Sequence, residues 1–480
     1  MTSPGEEAMS PATADQSPLE VDYLVIGAGA MGMAFVDTLL SETDATVAII
    51  DRNNQPGGHW TRAYPFVRLH QPSAFYGVTS KDLGTGAIDT DGPNAGLHEL
   101  ATSDEILDYF DRVMRDTFLP SGRVSYFPMS TYEGSDSQEP GVERFRSLVT
   151  GASTEVIVRR RIVDASYQNV SVPAMTPPRY EIADGVQCVP PNALATLSSP
   201  WARFTVVGSG KTGIDVCLWL LEHNVDPDNI TWIMPRDAWL LDRARIQPRL
   251  EGAPKPADSG AWMHGALHAE TIDEVLAGFE AAGMVMRIAP EITPTAYRCA
   301  TVTRTELASL RRIKNIVRHG KVQRIGLDSV TFDEITVAAH PGTLYIDCTA
   351  DGLERRPTVP MFSESRITLQ PVIPCQQVFS AAFAAHVEAA YGDDDVRNTI
   401  CAPSPHPDDA QDLLGYMIEI YSRIAQWSSD AELLDWLKQS RSVISFPEEV
   451  DAPRQELMSE LVGQIRAKYA DILAWDAAAA

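Results

Sequence analysis

The sequence predicts an α/β fold with two Rossmann-like βαβ units, a discontinuous first one with a second inserted into it. Three observations carry this expectation. A short apolar run, Tyr23-Leu24-Val25-Ile26, ends in Gly27-Ala28-Gly29-Ala30-Met31-Gly32 and leads into MAFVDTLL, whose apolar residues have helical spacing. The same pattern returns as Phe204-Thr205-Val206-Val207, then Gly208-Ser209-Gly210-Lys211-Thr212-Gly213, then IDVCLWLLEH. Finally, 480 residues, 44% of them hydrophobic, suffice for about three folding units.

Taken in order, residues 1–19 hold acids, Ser and Pro where a secretory signal needs a basic start and an apolar core, and are expected to be a disordered tail. The first strand and helix follow, then a second strand, Ala45 to Ile50, ending in Asp51. A helix is expected over Asp104 to Phe118, and the runs TEVIVRRRIV and RYEIAD suggest a small β-meander. The second unit closes with the strand Ile230 to Met234. Strand-like pieces KVQRIGL, SVTFDEITVA and TLYIDCTA then precede a largely helical C-terminal region and a frayed AWDAAAA. This places the first domain at residues 20–196 and 329–480 and the second at 197–328. Trp239 to Trp262, rich in Arg, Pro and Gly, is expected to be irregular, either a lid over the domain cleft or a surface excursion.

In a G-x-G-x-x-G turn the first glycine allows the bend, the second lets backbone approach a pyrophosphate, and the third lets helix and strand pack closely. Gly27, Gly29 and Gly32 fill these places, and Asp51, followed by Arg52, stands where an acid bonds ribose hydroxyls. An acid there disfavours a 2′-phosphate, so FAD or NAD suits the first turn. In the second, Gly208, Ser209, Gly210, Lys211, Thr212 and Gly213 form the turn, and Arg236 after the closing strand is placed to grip a 2′-phosphate, which points to NADPH. A phosphate-binding P-loop is excluded, because Thr205 stands where that motif needs glycine.

After Asp51 the chain reads Pro56-Gly57-Gly58-His59-Trp60, then Ala63-Tyr64-Pro65-Phe66-Val67-Arg68-Leu69-His70-Gln71-Pro72-Ser73. This stretch resembles the corresponding segment of flavoproteins with two dinucleotide-binding domains, particularly the single-component FAD/NADPH-dependent (class B type) flavin monooxygenases, and the resemblance runs from residue 20 to about 400. It implies FAD on the first unit, NADPH on the second and the flavin between them. Gly58, His59, Trp60 and Tyr64 would lie beside the isoalloxazine ring, Trp60 and Tyr64 as flat apolar surface or as core filler. Arg68, His70 and Gln71 would form a catalytic polar cluster at the flavin edge. Asp351, in Asp347-Cys348-Thr349-Ala350-Asp351-Gly352, would also lie beside the flavin, and the helix after Cys375 would aim its N-terminus at the ring.

The implied reaction is reduction of FAD by NADPH, formation of a C4a-(hydro)peroxyflavin with O2, and oxygenation of a small organic substrate at an amine nitrogen or another heteroatom. Three alternatives stay open: a reductase without oxygen insertion, Baeyer–Villiger oxygenation of a carbonyl, and a non-catalytic sensor of NADPH or FAD. The first of these is supported by residues 183–192, which lack the Phe and His of the F-x-G-x-x-x-H stretch of N- and S-oxygenating members.

Composition bounds the partners. With 39 Lys+Arg against 65 Asp+Glu, the net charge of −26 repels nucleic acid and anionic membrane surfaces. The six cysteines form no C-x-x-C pair, so no metal site is expected, and reduced thiols in a cytoplasmic protein fit best, Cys375 as a buried inert thiol. The amphipathic stretches ELLDWLKQ and QELMSELVGQIRAKYADIL offer faces for a homo-oligomer or for the protein's own core.

Overall fold

The computed structural model describes residues 19–135, 141–248, 259–442 and 452–470. The expected tail through residue 18, the terminal AWDAAAA and residues 249–258 of the expected irregular segment lie outside the described residues.

The first unit begins with β1 (Leu19–Ile26), α1 (Ala30–Glu42) and β2 (Val47–Ile50), with β1 and β2 parallel. Apolar residues occupy both faces of the strands because helices and further strands cover both. Next come α2 (Ser103–Val113), β3 (Val124–Phe127), β4 (Ser130–Ser135), β5 (Val142–Ser147) and β6 (Ser153–Asp164). A reciprocal cap between Thr102 and Glu105 starts α2, and a wider turn over Met114–Phe118 continues it, so the expected helix over 104–118 is present. The strands β4, β5 and β6 form the expected antiparallel meander, and β6 also runs parallel beside β1.

The RYEIAD strand does not join that meander. It is β7 (Glu181–Ile182), which pairs with β15 (Val322–Ile325) in a separate sheet, because Tyr180 buries against Val322, Ile325 and Phe332. Here β8 (Cys188–Val189), β9 (Arg203–Val207), α3 (Lys211–Glu222) and β10 (Ile230–Ile233) build the second unit. Trp239 to Asp242, expected to be irregular, lies within the strand β11 (Ala238–Asp242). After it come α4 (Ser259–His268), α5 (Ile272–Ala281), β12 (Val285–Met286), β13 (Ala296–Val302), α6 (Arg304–Leu310), β14 (Asn315–Val317), β15, β16 (Ser329–Phe332), β17 (Thr336–Ala338) and β18 (Thr343–Asp347). The second sheet has the all-parallel order β14-β10-β9-β18-β8. The TLYID strand, β18, thus extends the second unit by bonding along β9, and β8 joins it. The boundaries drawn at 196/197 and 328/329 therefore part strands that share a sheet.

The chain returns to the first sheet with β19 (Phe362–Ser363) and β20 (Arg366–Thr368), the latter parallel to β6. Then follow α7 (Gln377–Ala390), α8 (Asp394–Ile400), α9 (Asp412–Trp427), α10 (Ala431–Gln439) and α11 (Ala452–Lys468). Near its C-terminal end α7 bonds to both α1 and β1: His386 Nδ1 lies 2.8 Å from Glu42, and Tyr23 donates to Glu388 at 2.9 Å. Glu42 is the last residue of α1, so α7 runs parallel to it and starts at the end where the first glycine turn lies. The apolar faces of α10 and α11 cover the protein's own core, through Leu433 and Leu437 in one and Leu461, Val462 and Ile465 in the other. Among the described residues no helix is long and apolar enough to cross a membrane.

Candidate functional site

The two glycine turns repeat one another closely. Gly27 N donates to Ile50 O at 2.8 Å, and Gly208 N to Ile233 O at 3.0 Å. Both first glycines have left-handed backbone, φ 105° and 119°. A Cβ on Gly32 would be driven into the carbonyl of Gly27, and a Cβ on Gly213 into that of Gly208, so only glycine lets each helix sit this close to its strand. The N-termini of α1 and α3, capped by Gly29 and Gly210, receive no side-chain cap, like those of α7 and α9, whereas α2, α5, α6, α8 and α10 each have one from Thr or Asp. The two turns thus keep backbone donors for an anion.

Asp51 is buried and folded back on the first turn. Its Oδ2 accepts from Ala28 N at 2.6 Å and its Oδ1 from Asn53 N at 2.7 Å; burial raises its pKa against these bonds, which lower it. Arg52 beside it is exposed. Gly57 N donates to Ala28 O at 2.8 Å, and a Cβ on Gly58 would come within 3.0 Å of Gly29 Cα, so the two-glycine segment lies directly on the first turn.

Trp60 and Tyr64 both pack in the core of the first unit. Trp60 is 8% exposed and donates its Nε1 to Tyr76 Oη at 2.8 Å. Tyr64 donates to Asp215 Oδ2 at 2.6 Å, and burial, then the Asp215 charge, holds its phenol far from ionising. Asp215 lies on α3 and is also paired with Lys211, so Lys211 is drawn along its own helix. His59 leans on Trp60, and burial lowers its pKa to about 4.

The expected catalytic cluster is not brought together. Arg68 faces solvent, where a bridge with Thr102 fixes its backbone beside Leu100. His70 turns inward with its Nδ1 buried and unpartnered. Its pKa is lowered to about 3 by burial, then by Lys211 and Arg243, which makes it a neutral imidazole. Gln71 is half-buried. Sequence reasoning missed Arg243, which is 3% exposed, pairs with Glu306 at 3.0 Å and bonds the His70 carbonyl at 3.0 Å.

Arg236, expected free for a 2′-phosphate, is held by two carboxylates, Asp409 at 2.8 Å and Asp408 at 3.0 Å. Its carbonyl accepts from Ser209 Oγ at 2.8 Å, and Thr212, like Gly210, lies in the first turn of α3 or at its cap. Asp351 pairs with Arg298 at 2.6 Å, and Arg298 reaches Asp408 at 3.2 Å. Asp351 thus belongs to a charge chain beside the second turn. Cys375 is not an isolated thiol, since it forms a disulfide with Cys299 across a sequence separation of 76. Only the i,i+4 spacing of Lys211 and Asp215 was legible among these partners; the others come from loops and strands remote in sequence.

The resemblance implies a flavin and a nicotinamide dinucleotide. The residues present fit both groups: each turn has an uncapped helix start that tolerates no Cβ at its third glycine, and the first adds the Asp51 acceptor.

A family model described as an NAD(P)-binding Rossmann-like domain matches residues 25–76. The chain is 53% identical over 424 residues to the uncharacterized protein Rv2000 of Mycobacterium tuberculosis, covering 88% of this chain and 77% of that protein. It is 33% identical over 92 residues to a ferredoxin–NADP reductase of Salinispora tropica, covering 19% of this chain and 28% of that protein. Among solved structures it is similar to the open form of cyclohexanone monooxygenase, with a TM-score of 0.48 and 13% identity over 95% of this chain and 99% of that one.

Proposed function

The chain belongs to the family of the Mycobacterium tuberculosis protein Rv2000, and we propose that it is a flavin-dependent oxidoreductase, binding FAD on the first turn and a reduced nicotinamide dinucleotide on the second. One observation carries this reading: Tyr64, six residues beyond the Gly58 that rests on the first turn, bonds Asp215, four residues beyond the Lys211 that opens α3 at the second. A single side-chain bridge therefore brings the segment beside the first turn against the helix of the second, the proximity that two cofactors exchanging a hydride require.

Bound there, the flavin would supply hydride acceptance and two-electron delivery to O2, one oxygen atom going to a small organic substrate, at an amine nitrogen or another heteroatom, and the other to water. The chain's own groups bind and orient. The Gly29 end of α1 holds a pyrophosphate, Asp51 accepts from ribose hydroxyls, and the Gly210 end of α3 holds the second pyrophosphate. His70, neutral and inward-facing beside Lys211, offers an uncharged polar contact between the units. The buried Trp60 and Tyr64 support the two-glycine segment from behind.

A second reading, electron transfer without oxygen insertion, is favoured by the outward Arg68, which leaves the 68–71 segment without an inward cation to hold a peroxide. Rapid mixing of anaerobically reduced, FAD-loaded protein with aerated buffer separates the two. A transient absorbance band distinct from oxidised and reduced flavin supports oxygenation. Direct return to oxidised flavin with stoichiometric release of hydrogen peroxide overturns it in favour of the second reading.

A further inference from the structure

We propose that a cavity at the edge of the second sheet binds a small organic ammonium ion, with the Asp347 carboxylate as its counter-ion. The cavity has a volume of about 300 Å³, the lower end of the range for small-molecule sites. Asp347 ends β18 and lies level with Val207, the residue before the second glycine turn. On the other side of β18 is the edge strand β8, where Cys188 and Val189 pair with Tyr345 and Ile346. The segment 173–178 closes the cavity there through Pro173, Met175, Pro177 and Pro178, together with Pro190 after β8. None of Gly208 to Gly213, nor Arg236, lines it, so it is a different place from the second turn.

Asp347 is 4% exposed, and among the described residues no cation pairs with it. Every bond that the chain gives it falls on one oxygen: Oδ1 accepts from Tyr180 Oη at 3.1 Å, from Thr349 N at 3.2 Å and from Thr349 Oγ1 at 2.6 Å. Oδ2 accepts none, although Asp347 lines the cavity. Other buried acids are completed by the chain itself, Asp237 by Arg318, Asp242 by Arg304 and Asp164 by Arg366. A carboxylate withdrawn from water is costly unless a cation or donors complete it.

The wall does not supply that complement. Four of the ten lining residues are proline, which has no backbone N–H to donate. Tyr180 spends its proton on Oδ1, and Cys188 Sγ lies 3.6 Å from the same phenol oxygen. Burial raises the pKa of Cys188 to about 11, so its thiol adds no charge. An occupant must therefore bring both the N–H donors and the positive charge, with an apolar body against the proline and methionine side chains. Among the described residues no three His, Cys, Asp or Glu side chains gather as metal ligands, which favours an organic cation over a metal ion. The net charge of −26 enriches cations around the whole chain.

The test titrates the full-length protein, with and without FAD, with n-butylammonium chloride in a calorimeter. Controls are 1-butanol, a neutral probe of similar size, and potassium chloride at matched ionic strength. The expected result is saturable binding of one butylammonium per chain and of neither control. Asp347→Asn keeps an acceptor for Tyr180 and Thr349 but removes the charge, and should weaken binding by about tenfold or more. A second readout needs no variant, so a poorly folding substitution does not disable the test. Alkylation of Cys188 by iodoacetamide, mapped by mass spectrometry, should fall in proportion to butylammonium occupancy, because Cys188 lines the cavity. No saturable binding, equal binding of 1-butanol or potassium, or unchanged affinity in a folded Asp347→Asn protein overturns the proposal. Binding that leaves Cys188 alkylation unchanged overturns it as well. The site uses neither glycine turn, so each of these results leaves the proposed function standing.

Discussion

In the first unit the residue that ends the second strand, Asp51, folds back and accepts a bond from Ala28 inside the glycine turn. In the second, Arg236 after the corresponding strand is held by Asp408 and Asp409 from the loop before α9, and touches its turn only through its carbonyl. The turns themselves match, down to the two third-position glycines whose side-chain space is filled by the carbonyl of the first. Within one chain the glycine turn is thus set locally, while the residue that follows the closing strand is placed by whatever packs against the strand end. For the first unit that is the unit's own chain; for the second it is a segment more than a hundred residues away in sequence.

The sharpest way to break this comparison is to fill each turn separately. Gly32→Ala must displace backbone, at a cost of about 3 kcal/mol, and should abolish FAD retention, read as the flavin-to-protein absorbance ratio after gel filtration. Gly213→Ala meets the same obstacle in the second turn, but should retain FAD and lose its reduction by the coenzyme by about a hundredfold or more, a loss of that same order of free energy. Loss of flavin in both variants would mean that the two units do not act separately.

A smaller effect concerns the histidines near the cleft. His59, His70 and His406 are depressed to about 4, about 3 and about 4, chiefly by burial. Unfolded, each titrates near 6.5, so below that pH the unfolded chain takes up protons that the folded one refuses. Stability is therefore full above about pH 6.5 and falls as the pH drops toward the folded values, by about 1.4 kcal/mol per pH unit for each histidine. Urea denaturation at pH 7 and pH 5 should show this loss, and His70→Asn should reduce it by about 2 kcal/mol.

The smallest effect is on coenzyme choice. The ion pairs of Arg236 are partly exposed, and such pairs are worth about 1 kcal/mol or less. Asp408→Asn/Asp409→Asn frees the guanidinium and should raise the preference for NADPH over NADH by about fivefold in kcat/KM for flavin reduction. An unchanged ratio would show that Arg236 does not face the ribose at all.

Features set by neighbours in sequence were legible before the structure: both glycine turns, their flanking strands and helices, the span of α2, and Asp51 at its strand end. What escaped depends on distant chain. TLYID reads as a buried strand, but nothing in it says that it lies along β9 rather than in the first sheet. Trp60 and Tyr64 carry the same aromatic signal whatever they face, and their bonds to Tyr76 and Asp215, remote in sequence, have no local pattern. Cys299 and Cys375 could not be paired from spacing, because their meeting depends on how β13 packs against the loop before α7. Arg236 read as a free cation only because Asp408 and Asp409 come from a loop with no local pattern.

The measurement that most directly tests the two-cofactor cleft is anaerobic titration of the FAD-reconstituted protein with NADPH and NADH, followed through the flavin absorbance band. The account predicts one tightly held FAD per chain and complete bleaching by at least one of the two coenzymes. A protein that takes up no FAD, or holds it and stays oxidised with both, contradicts it.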